Sequence, residues 1–294
     1  MPNHVTNILK INGDDELVEK IKSEICGDDE DGDSIPIDFE KIVPKPESLD
    51  ITSGGNTDNG LAVLQYVAGN EKKIIEMLNW PWVKNEGITD PDELVKHLIS
   101  TKKANLEEAA IALDNIEKYG HKDWYSWCND KWGTKWNAYS QEVGLEGEII
   151  FQTAWSNPYP IIEALSYKYP DAEFNIKYAD EDLGQNVGEY SMKDGEVTYE
   201  DIPEEGSEDA FILAVEITGW DDYISDKCFE IDPEYSVDDL DEYDKKWISI
   251  AYKKDVLGDY PKCVLDYMLK LAIEDENYEF AQRIKDTTSW YEPE

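Results

Sequence analysis

The feature that most constrains the fold is the distribution of acidic side chains. From Asp171 to Lys245 the sequence has 26 Asp and Glu against four Lys and no Arg, so this quarter of the chain carries more than half of the net charge of −40. Carboxylates are rarely buried without a partner, so most of this segment must lie on a surface. The chain also has 10 Trp, 18 Tyr and 6 Phe, unlike the aromatic-poor sequences of disordered proteins. We therefore predict a folded protein with a strongly acidic surface.

Alternating apolar residues and turn signals predict an α+β fold. Residues 5–11 alternate before the turn signal Asn12-Gly13, and an amphipathic helix follows over 14–25. Over residues 124–143 the pattern indicates a short helix followed by a strand. Residues 158–168 form a predicted helix that begins at Pro158 or Pro160. We predict strands over 5–11, 146–155 and 172–180, an extended segment over 35–46, and a hairpin turning at Asp194-Gly195.

Helical spacing of apolar residues predicts the remaining organisation. Three helices are expected over 60–79, 91–102 and 105–119, and acidic segments broken by helices follow residue 203, with the strongest helical pattern over 260–286. We predict two domains: an α+β domain over 1–202 with a helical insertion at about 56–122, and an acidic helical extension over 203–294.

Cysteine and histidine usage argues against a metal site. The four Cys are far apart with no C-x-x-C pair, and only three His are present. The loop 28–34 has the D-x-D-G-D spacing of a calcium loop, but Gly27 falls where a carboxylate is required and Asp38 where Glu is usual. We expect a solvated loop, no metal and no cofactor. Without a signal peptide or an 18-residue apolar run, the expected location is the bacterial host cytoplasm with reduced thiols.

Several segments together resemble a known group. They are PNHVTNILKING, IDFEKIVPKPESL, WCNDKWGTKWNAYSQE, FQTAWSNPYPIIEALSYKYP and IKYADEDLGQNVG. These segments resemble the YubB-like ferredoxin-like domain family, which occurs mainly on phages, plasmids and integrative elements. The resemblance spans roughly residues 1–200 and implies a split β-α-β antiparallel sheet and a mobile-element origin. It implies no electron transfer, because fold does not fix function.

Two groups of residues invite a catalytic or ligand-binding interpretation. The tryptophan block around Gly133 could stack bases or sugars, but a Trp every four or so residues is also typical of a core, and we predict that Trp127, Trp132, Gly133 and Trp136 are structural. No nucleophile motif, zinc-protease motif or P-loop is present, and carboxylates such as Asp180, Glu181 and Asp182 fit a turn after a strand. We therefore predict no enzymatic activity.

The acidic segment is the strongest functional candidate. Its charge excludes non-specific attraction to nucleic acid or an anionic membrane, because phosphate binding needs Lys and Arg. A folded surface with so many carboxylates could imitate roughly a dozen base pairs of DNA backbone, and interleaved Tyr and Trp would add apolar anchors. Alternatively, the acidity only maintains solubility. The predicted partner-binding residues are Asp180, Glu181, Asp182, Asp221, Asp222, Asp238, Asp239, Asp241, Glu242 and Asp244.

These features together favour a binding protein. We expect a phage or mobile-element protein that inhibits a host defence system, such as CRISPR or restriction, by contacting a basic protein surface. A structural or assembly protein of the element is the alternative, and an enzyme acting on a small metabolite is a third. Homo-oligomerisation stays open. Reversing the charges of Asp238, Asp239, Asp241 and Glu242 is expected to abolish binding without affecting the fold.

Overall fold

The computed structural model describes residues 3–29 and 31–288, except for the side chains of Asp221 and Thr288. Eight strands occur in these residues: β1 (His4–Asn12), β2 (Gly27–Asp28), β3 (Ser34–Ile35), β4 (Tyr139–Val143), β5 (Ile149–Ala154), β6 (Glu173–Asp180), β7 (Val187–Lys193) and β8 (Glu196–Asp201). The helices in the first half are α1 (Asp15–Ile25), α2 (Phe39–Ile42), α3 (Gly55–Val67), α4 (Lys72–Met77), α5 (Pro81–Asn85), α6 (Pro91–Ser100) and α7 (Leu106–Tyr119). The later helices are α8 (Trp124–Lys131), α9 (Tyr159–Lys168), α10 (Glu208–Thr218), α11 (Asp221–Phe229), α12 (Glu242–Lys253), α13 (Lys262–Glu274) and α14 (Tyr278–Thr288).

The chain forms two compact units. The first, the sheet unit, contains the described residues up to Ile21, Tyr139–Asn157, and those from Ser166 onward. The second, the helical unit, contains Lys22–Ala138 and Pro158–Leu165. The sheet unit runs through residue 203 without interruption. The predicted boundary between domains 1–202 and 203–294 would separate parts that fold independently, and it stays a prediction.

A six-stranded antiparallel sheet organises the sheet unit, with the strand order β4-β5-β1-β6-β7-β8. The alternation in β1 buries Val5, Asn7 and Leu9. Leu9 lies opposite Ile149 of β5 and Ile176 of β6, so this face of the sheet is mainly apolar, and Asn7 Nδ2 donates a hydrogen bond within it to Thr153 Oγ1 at 2.8 Å. The predicted α+β fold with an antiparallel sheet is confirmed.

The opposite face of this sheet is partly covered by the first helix of the acidic extension. Helix α10 packs against β1, β6 and β7. Its contacts form a small cluster in which Ala210, Ala214 and Ile217 meet Ala179 and Val187. Part of the apolar surface of α10 therefore packs on the sheet, while Asp209 and Glu216 are exposed.

Helices α10–α14 share a second apolar core in the sheet unit. It includes Ile224, Trp247, Ile248, Leu265 and Met268. The single helix predicted over 260–286 is wrong, because the chain breaks between α13 and α14. Glu276 adopts a left-handed conformation with φ 57°, and Asn277 begins the next helix by accepting a hydrogen bond from the backbone N–H of Phe280 at 3.1 Å.

The helical unit contains α3–α7 around a core that includes Ala62, Ile74 and Leu94. Helices α3 and α7 pack closely at Gly60, where an added Cβ would overlap the backbone carbonyl of Asn105. The helix predicted over 60–79 is instead two helices, because the chain turns at Gly69 with φ 90°.

The predicted extended segment over 35–46 is largely wrong. Only Ser34–Ile35 is a strand, paired with Gly27–Asp28. Asp38 then starts the short helix α2 by accepting a hydrogen bond from the backbone N–H of Glu40 at 3.0 Å. The cap formed by Asp38 thus favours a short helix, which contains the apolar residues Phe39 and Ile42, over the extended segment that alternating apolar residues predict.

Candidate interaction surface

Three aspartates determine where helix α12 and the turn before it begin. Asp241 is the N-cap of α12, and its Oδ1 accepts hydrogen bonds from the backbone N–H groups of Tyr243 and Asp244, each at 2.8 Å. Asp244 completes a capping box by accepting from the backbone N–H of Asp241 at 3.2 Å. In the preceding 3₁₀ turn, Asp239 Oδ2 accepts from the hydroxyl of Ser236 at 2.6 Å and from its backbone N–H at 2.9 Å. These carboxylates are therefore part of the local fold.

Beneath this region lies an aromatic cluster centred on the buried Trp247. The rings of Phe211, Tyr223 and Tyr243 make edge contacts with Trp247, with centroid distances between 5.0 and 6.2 Å. Tyr223 and Tyr243 are also exposed, so each ring joins the core to the surface. The backbone that carries the surrounding acidic side chains therefore packs on this aromatic cluster.

We define the acidic-aromatic surface as the exposed side chains of residues 220–244. Its exposed aromatics are Trp220, Tyr223, Phe229, Tyr235 and Tyr243. The same residues contain 11 Asp and Glu and one Lys. Because only Lys227 offsets this charge, the surface is strongly negative and would attract cationic groups.

Three lysines in or beside this surface are already engaged, and one of them, Lys245, pairs with Glu242 at 3.3 Å. Lys227 donates to Glu230 at 2.6 Å, which raises the pKa of the Lys227 ammonium, and lies 5.3 Å from the centroid of the Tyr223 ring. Lys246 lies 3.9 Å from the centroid of the Phe211 ring, and burial lowers the pKa of its ammonium. Glu242 is therefore partly neutralised by Lys245, whereas Lys227 and Lys246 interact with groups other than Asp222 and Asp238.

The predicted partner-binding residues divide into four groups in the structure, of which the last is the buried Asp180. Glu181, Asp182, Asp222, Asp238 and Glu242 are exposed. Asp239, Asp241 and Asp244 have the capping roles described above, so reversing the charges of Asp239 and Asp241 would also remove two caps. Asp221 begins the backbone of α11, and its side chain lies outside the described residues.

The prediction that Asp180 belongs to a partner-binding surface is wrong. Its side chain is buried, with the residue only 5% exposed. Its Oδ1 accepts hydrogen bonds from the side chain of Asn3 at 3.0 Å and the backbone N–H of Asp182 at 2.9 Å. Its Oδ2 accepts from the side chain of Asn186 at 3.3 Å. A carboxylate held in this way connects β1, β6 and β7 and is inaccessible to a partner.

Residues beside Asp180 form a polar cluster that sequence reasoning missed. The side chain of Asn186 also donates to the carbonyl of Trp155 at 3.0 Å, and Trp155 has a left-handed φ of 71°, which is unusual for a bulky residue. Nearby, His4 Nδ1 lies 2.7 Å from the hydroxyl of Tyr139, which donates to the carbonyl of Thr153. Burial, with a smaller contribution from Glu181, raises the pKa of Tyr139. No local sequence pattern indicates contacts between residues so far apart in the chain.

The tryptophan block is mostly core of the helical unit. Trp127 and Trp132 are buried and meet edge to face, and Trp132 Nε1 donates to the carbonyl of Val43 at 2.9 Å. Gly133 has φ 75°, a conformation that favours glycine. The prediction that Trp136 is a core residue is wrong, because it is 39% exposed and Lys135 lies over its ring. The turn at Gly133 ends the helical periodicity that the prediction assumed.

The loop 28–34 forms through its own hydrogen bonds. Asp29 Oδ1 accepts from the backbone N–H groups of Asp31 and Asp33, at 3.0 and 2.8 Å, while Glu30 lies outside the described residues. Among the side chains that the structure describes, no three His, Cys, Asp or Glu come together as a metal site.

Open clefts occur among the described residues of the helical unit, and two of them are lined by charged or aromatic side chains. One, of about 540 Å³, includes Asp50 and Asp114, which pair with Lys45 and Lys118. The other, of about 460 Å³, lies beside Trp80, Trp82 and Lys103.

Over residues 3–29 and 31–288, no helix has both the length and the apolarity needed to cross a membrane.

Comparison with known proteins identifies the domain that contains most of the sheet. Residues 131–221 match the family model described as the ferredoxin-like domain in Api92-like protein. This part of the chain is a ferredoxin-like domain. The match includes β4 to β8 and α10, and therefore reaches into the predicted acidic extension.

A structural search found the crystal structure of protein Api92 from Yersinia pseudotuberculosis, with 10% sequence identity and a TM-score of 0.35. The match covers 70% of this chain and all of that chain. The search of curated proteins gave no match.

Proposed function

We propose that this protein is a binding protein of a phage or other mobile element, related to the YubB-like group, and that it inhibits a host defence system by contact. Its partner would be a defence protein or complex with a basic surface, such as a CRISPR or restriction complex. The acidic-aromatic surface would occupy that basic surface in the host cytoplasm. No catalytic step, cofactor, nucleic acid or membrane is part of the proposal.

The observation that supports this proposal best is the combination of charge and packing at the acidic-aromatic surface. A flexible acidic tail would bind any polycation weakly, because its ordering costs entropy. Here the carboxylates lie on α11, on α12 and on the segment between them, whose backbone packs over an aromatic core, so the backbone that carries them is in place before a partner arrives. The exposed rings of Tyr223 and Tyr243 supply apolar anchors of the kind that dominate interfaces.

A basic surface that normally holds nucleic acid is the best-matched partner. Duplex DNA presents one negative charge per about 1.7 Å of axis, and a site that binds it carries clustered Lys and Arg. Eleven acidic residues within 25 concentrate negative charge on one packed part of the chain, which clustered Lys and Arg would attract. Binding would therefore weaken steeply as salt increases, by screening of the carboxylates.

The test uses exposed carboxylates that cap no helix. The variant Asp222→Lys, Asp238→Lys, Glu242→Lys changes the acidic-aromatic surface, and a matched control, Glu86→Lys, Glu107→Lys, Glu117→Lys, makes the same charge change at exposed positions of the helical unit. Each protein is expressed in bacteria whose restriction or CRISPR system cuts an incoming plasmid, and transformation is counted. The native protein and the control should raise transformation by about a hundredfold, whereas the surface variant should lose most of that effect, as expected when hot-spot contacts are lost.

Two outcomes would contradict the proposal. If the native protein leaves transformation unchanged against representative restriction and CRISPR systems, it is not an inhibitor of such systems. If the control loses activity as fully as the surface variant, only total charge matters and the acidic-aromatic surface is not the binding site. A large stable homo-oligomer without any inhibition would favour the assembly role instead.

A further inference from the structure

The open edge of the sheet is a second surface with the properties of a binding site. Strand β8 is the last strand of the sheet, and among the described residues it pairs on one side only, with β7. All six of its residues are exposed. An edge of this kind presents backbone N–H and C=O groups that a partner strand can bind.

The hairpin that carries β8 is held in place before any partner binds. Asp194 and Gly195 both have positive φ, 48° and 76°, as a tight two-residue turn requires. The backbone N–H of Gly195 donates to Ser166 Oγ at 3.0 Å, and an added Cβ at Gly195 would overlap the ring of Tyr167. Because the turn is locked, little entropy is lost when another strand pairs with β8.

The side chains of β8 indicate the chemistry of the partner. Glu196, Glu200 and Asp201 are acidic, and the strand contains no Lys or Arg. Pairing with β8 of a second copy would bring like charges together across the strands, which is unfavourable. A Lys or Arg on an incoming strand would instead face a carboxylate. The charge of the edge thus selects against self-association and in favour of a basic strand.

The edge also has exposed apolar side chains that a partner strand could contact. Tyr199 and Ile202 are about half exposed, beside the carboxylates of Glu200 and Asp201. The register shift that makes Thr198 an extra residue interrupts the strand, so the regular stretch open to a partner is 199–201. This short acidic and apolar stretch suits an extended peptide better than a long flat strand.

We propose that β8 is a docking strand for an extended segment of a partner protein in which Lys or Arg alternates with small or apolar residues. The segment adds a seventh strand, antiparallel or parallel, at the open edge of the sheet. Its backbone supplies the hydrogen bonds, and its basic side chains, which alternate and so lie on one face of the sheet, pair with Asp201 in the stretch 199–201 and with Glu196 beyond the extra residue Thr198. None of these residues belongs to the acidic-aromatic surface, so this site can fail or hold independently of the proposed function.

The test uses the full chain and a fluorescein-labelled decapeptide of alternating Lys and Thr as the probe. Binding is followed by fluorescence anisotropy, and the bound region is located by hydrogen exchange. We expect saturable binding with slowed exchange at 196–202. A probe with every backbone amide N-methylated keeps its charge but has no N–H left to donate from either edge of the strand, and it should bind at least about tenfold more weakly. The Glu196→Lys, Glu200→Lys, Asp201→Lys variant should lose at least about tenfold in affinity, and the helical-unit control described above should not.

Three results would overturn this proposal. Equal binding of the methylated probe would show attraction by charge alone, and this comparison needs only the native protein. Slowed exchange confined to 220–244 would place the probe on the acidic-aromatic surface. Concentration-dependent dimerisation in sedimentation, with β8 protected in the absence of probe, would show that a second copy occupies the edge.

Discussion

Asp180 and Glu242 lie in the same acidic stretch of sequence, yet they differ in almost every physical respect. Asp180 is buried at the end of β6 and accepts hydrogen bonds from three residues that are distant or adjacent in sequence. Glu242, at the start of α12, is exposed and makes only an ion pair with Lys245 at 3.3 Å. Between these extremes, Asp241 is exposed but caps a helix. The acidic residues of this stretch thus have different roles: Asp180 joins the ends of sheet strands through hydrogen bonds, Asp241 caps a helix, and Glu242 contributes surface charge.

The largest effect in this comparison is expected for Asp180→Ala. The change leaves the half-buried side-chain amide of Asn3 and the backbone N–H of Asp182 without their acceptor and removes one of the two acceptors of Asn186. Polar groups shielded from water and left unsatisfied cost about 1–3 kcal/mol each. We expect a loss of about 2–4 kcal/mol in the free energy of unfolding, measured by urea denaturation. The neighbouring exposed Asp182→Ala is the control and should change stability by less than about 0.5 kcal/mol. Similar stabilities for the two variants would mean that Asp180 is no more structural than its neighbours.

A smaller effect is expected for Asp241→Ala. Loss of this N-cap leaves the first backbone N–H groups of α12 without an acceptor and should cost about 1 kcal/mol. Glu242→Ala, one position later, removes the same charge without removing a cap. Thermal unfolding of the two variants checks this difference. An equal shift in both would show that charge near the helix N-terminus matters more than the capping hydrogen bonds.

The smallest effect concerns Asp239 and is seen through pH. Hydrogen bonds from the side chain and backbone of Ser236 hold the pKa of the Asp239 carboxyl below its ordinary value. A carboxyl with a lowered folded-state pKa contributes stability above its unfolded pKa, and this contribution is lost as pH falls through the folded pKa. The stability difference between the native protein and Asp239→Asn should therefore be present near about pH 6 and shrink toward about pH 2.5. Urea midpoints at both values measure it, and a constant difference would contradict the assignment.

Local patterns in the sequence predicted much of the sheet. The alternation over 5–11 and the turn at Asp194-Gly195 correspond to β1 and to the β7-β8 hairpin, because burial of one face imposes a period of two. The environment of Asp180 could not be predicted in this way, since Asn3 lies 177 residues away in the chain. Trp136 was misplaced because a spacing of four residues indicates a helix only while the helix continues. α8 ends at Lys131 and the chain turns at Gly133.

The sequence shows where acidic residues are concentrated, but it does not show which of them cap helices and which are free on the surface. Whether a given aspartate caps a helix depends on where that helix begins, and boundaries are the weakest part of a periodicity argument. Asp239, Asp241 and Asp244 illustrate this, because all three read as surface charges in DDLDEYD. Sequence reasoning therefore located the region and missed which of its carboxylates a substitution can reach without harming the fold.

The position of β1 in the middle of the sheet has a consequence for synthesis on the ribosome. Val5 lies opposite Thr153 of β5 and Asp180 of β6, so both partners of β1 emerge long after it does. At a translation rate of about 5–20 residues per second, β1 waits on the order of ten seconds with Val5 and Leu9 uncovered. A chain that stops before β6 therefore exposes an apolar strand with no neighbour on that side, and nascent or truncated chains of this protein should depend on chaperones more than the highly charged finished chain does.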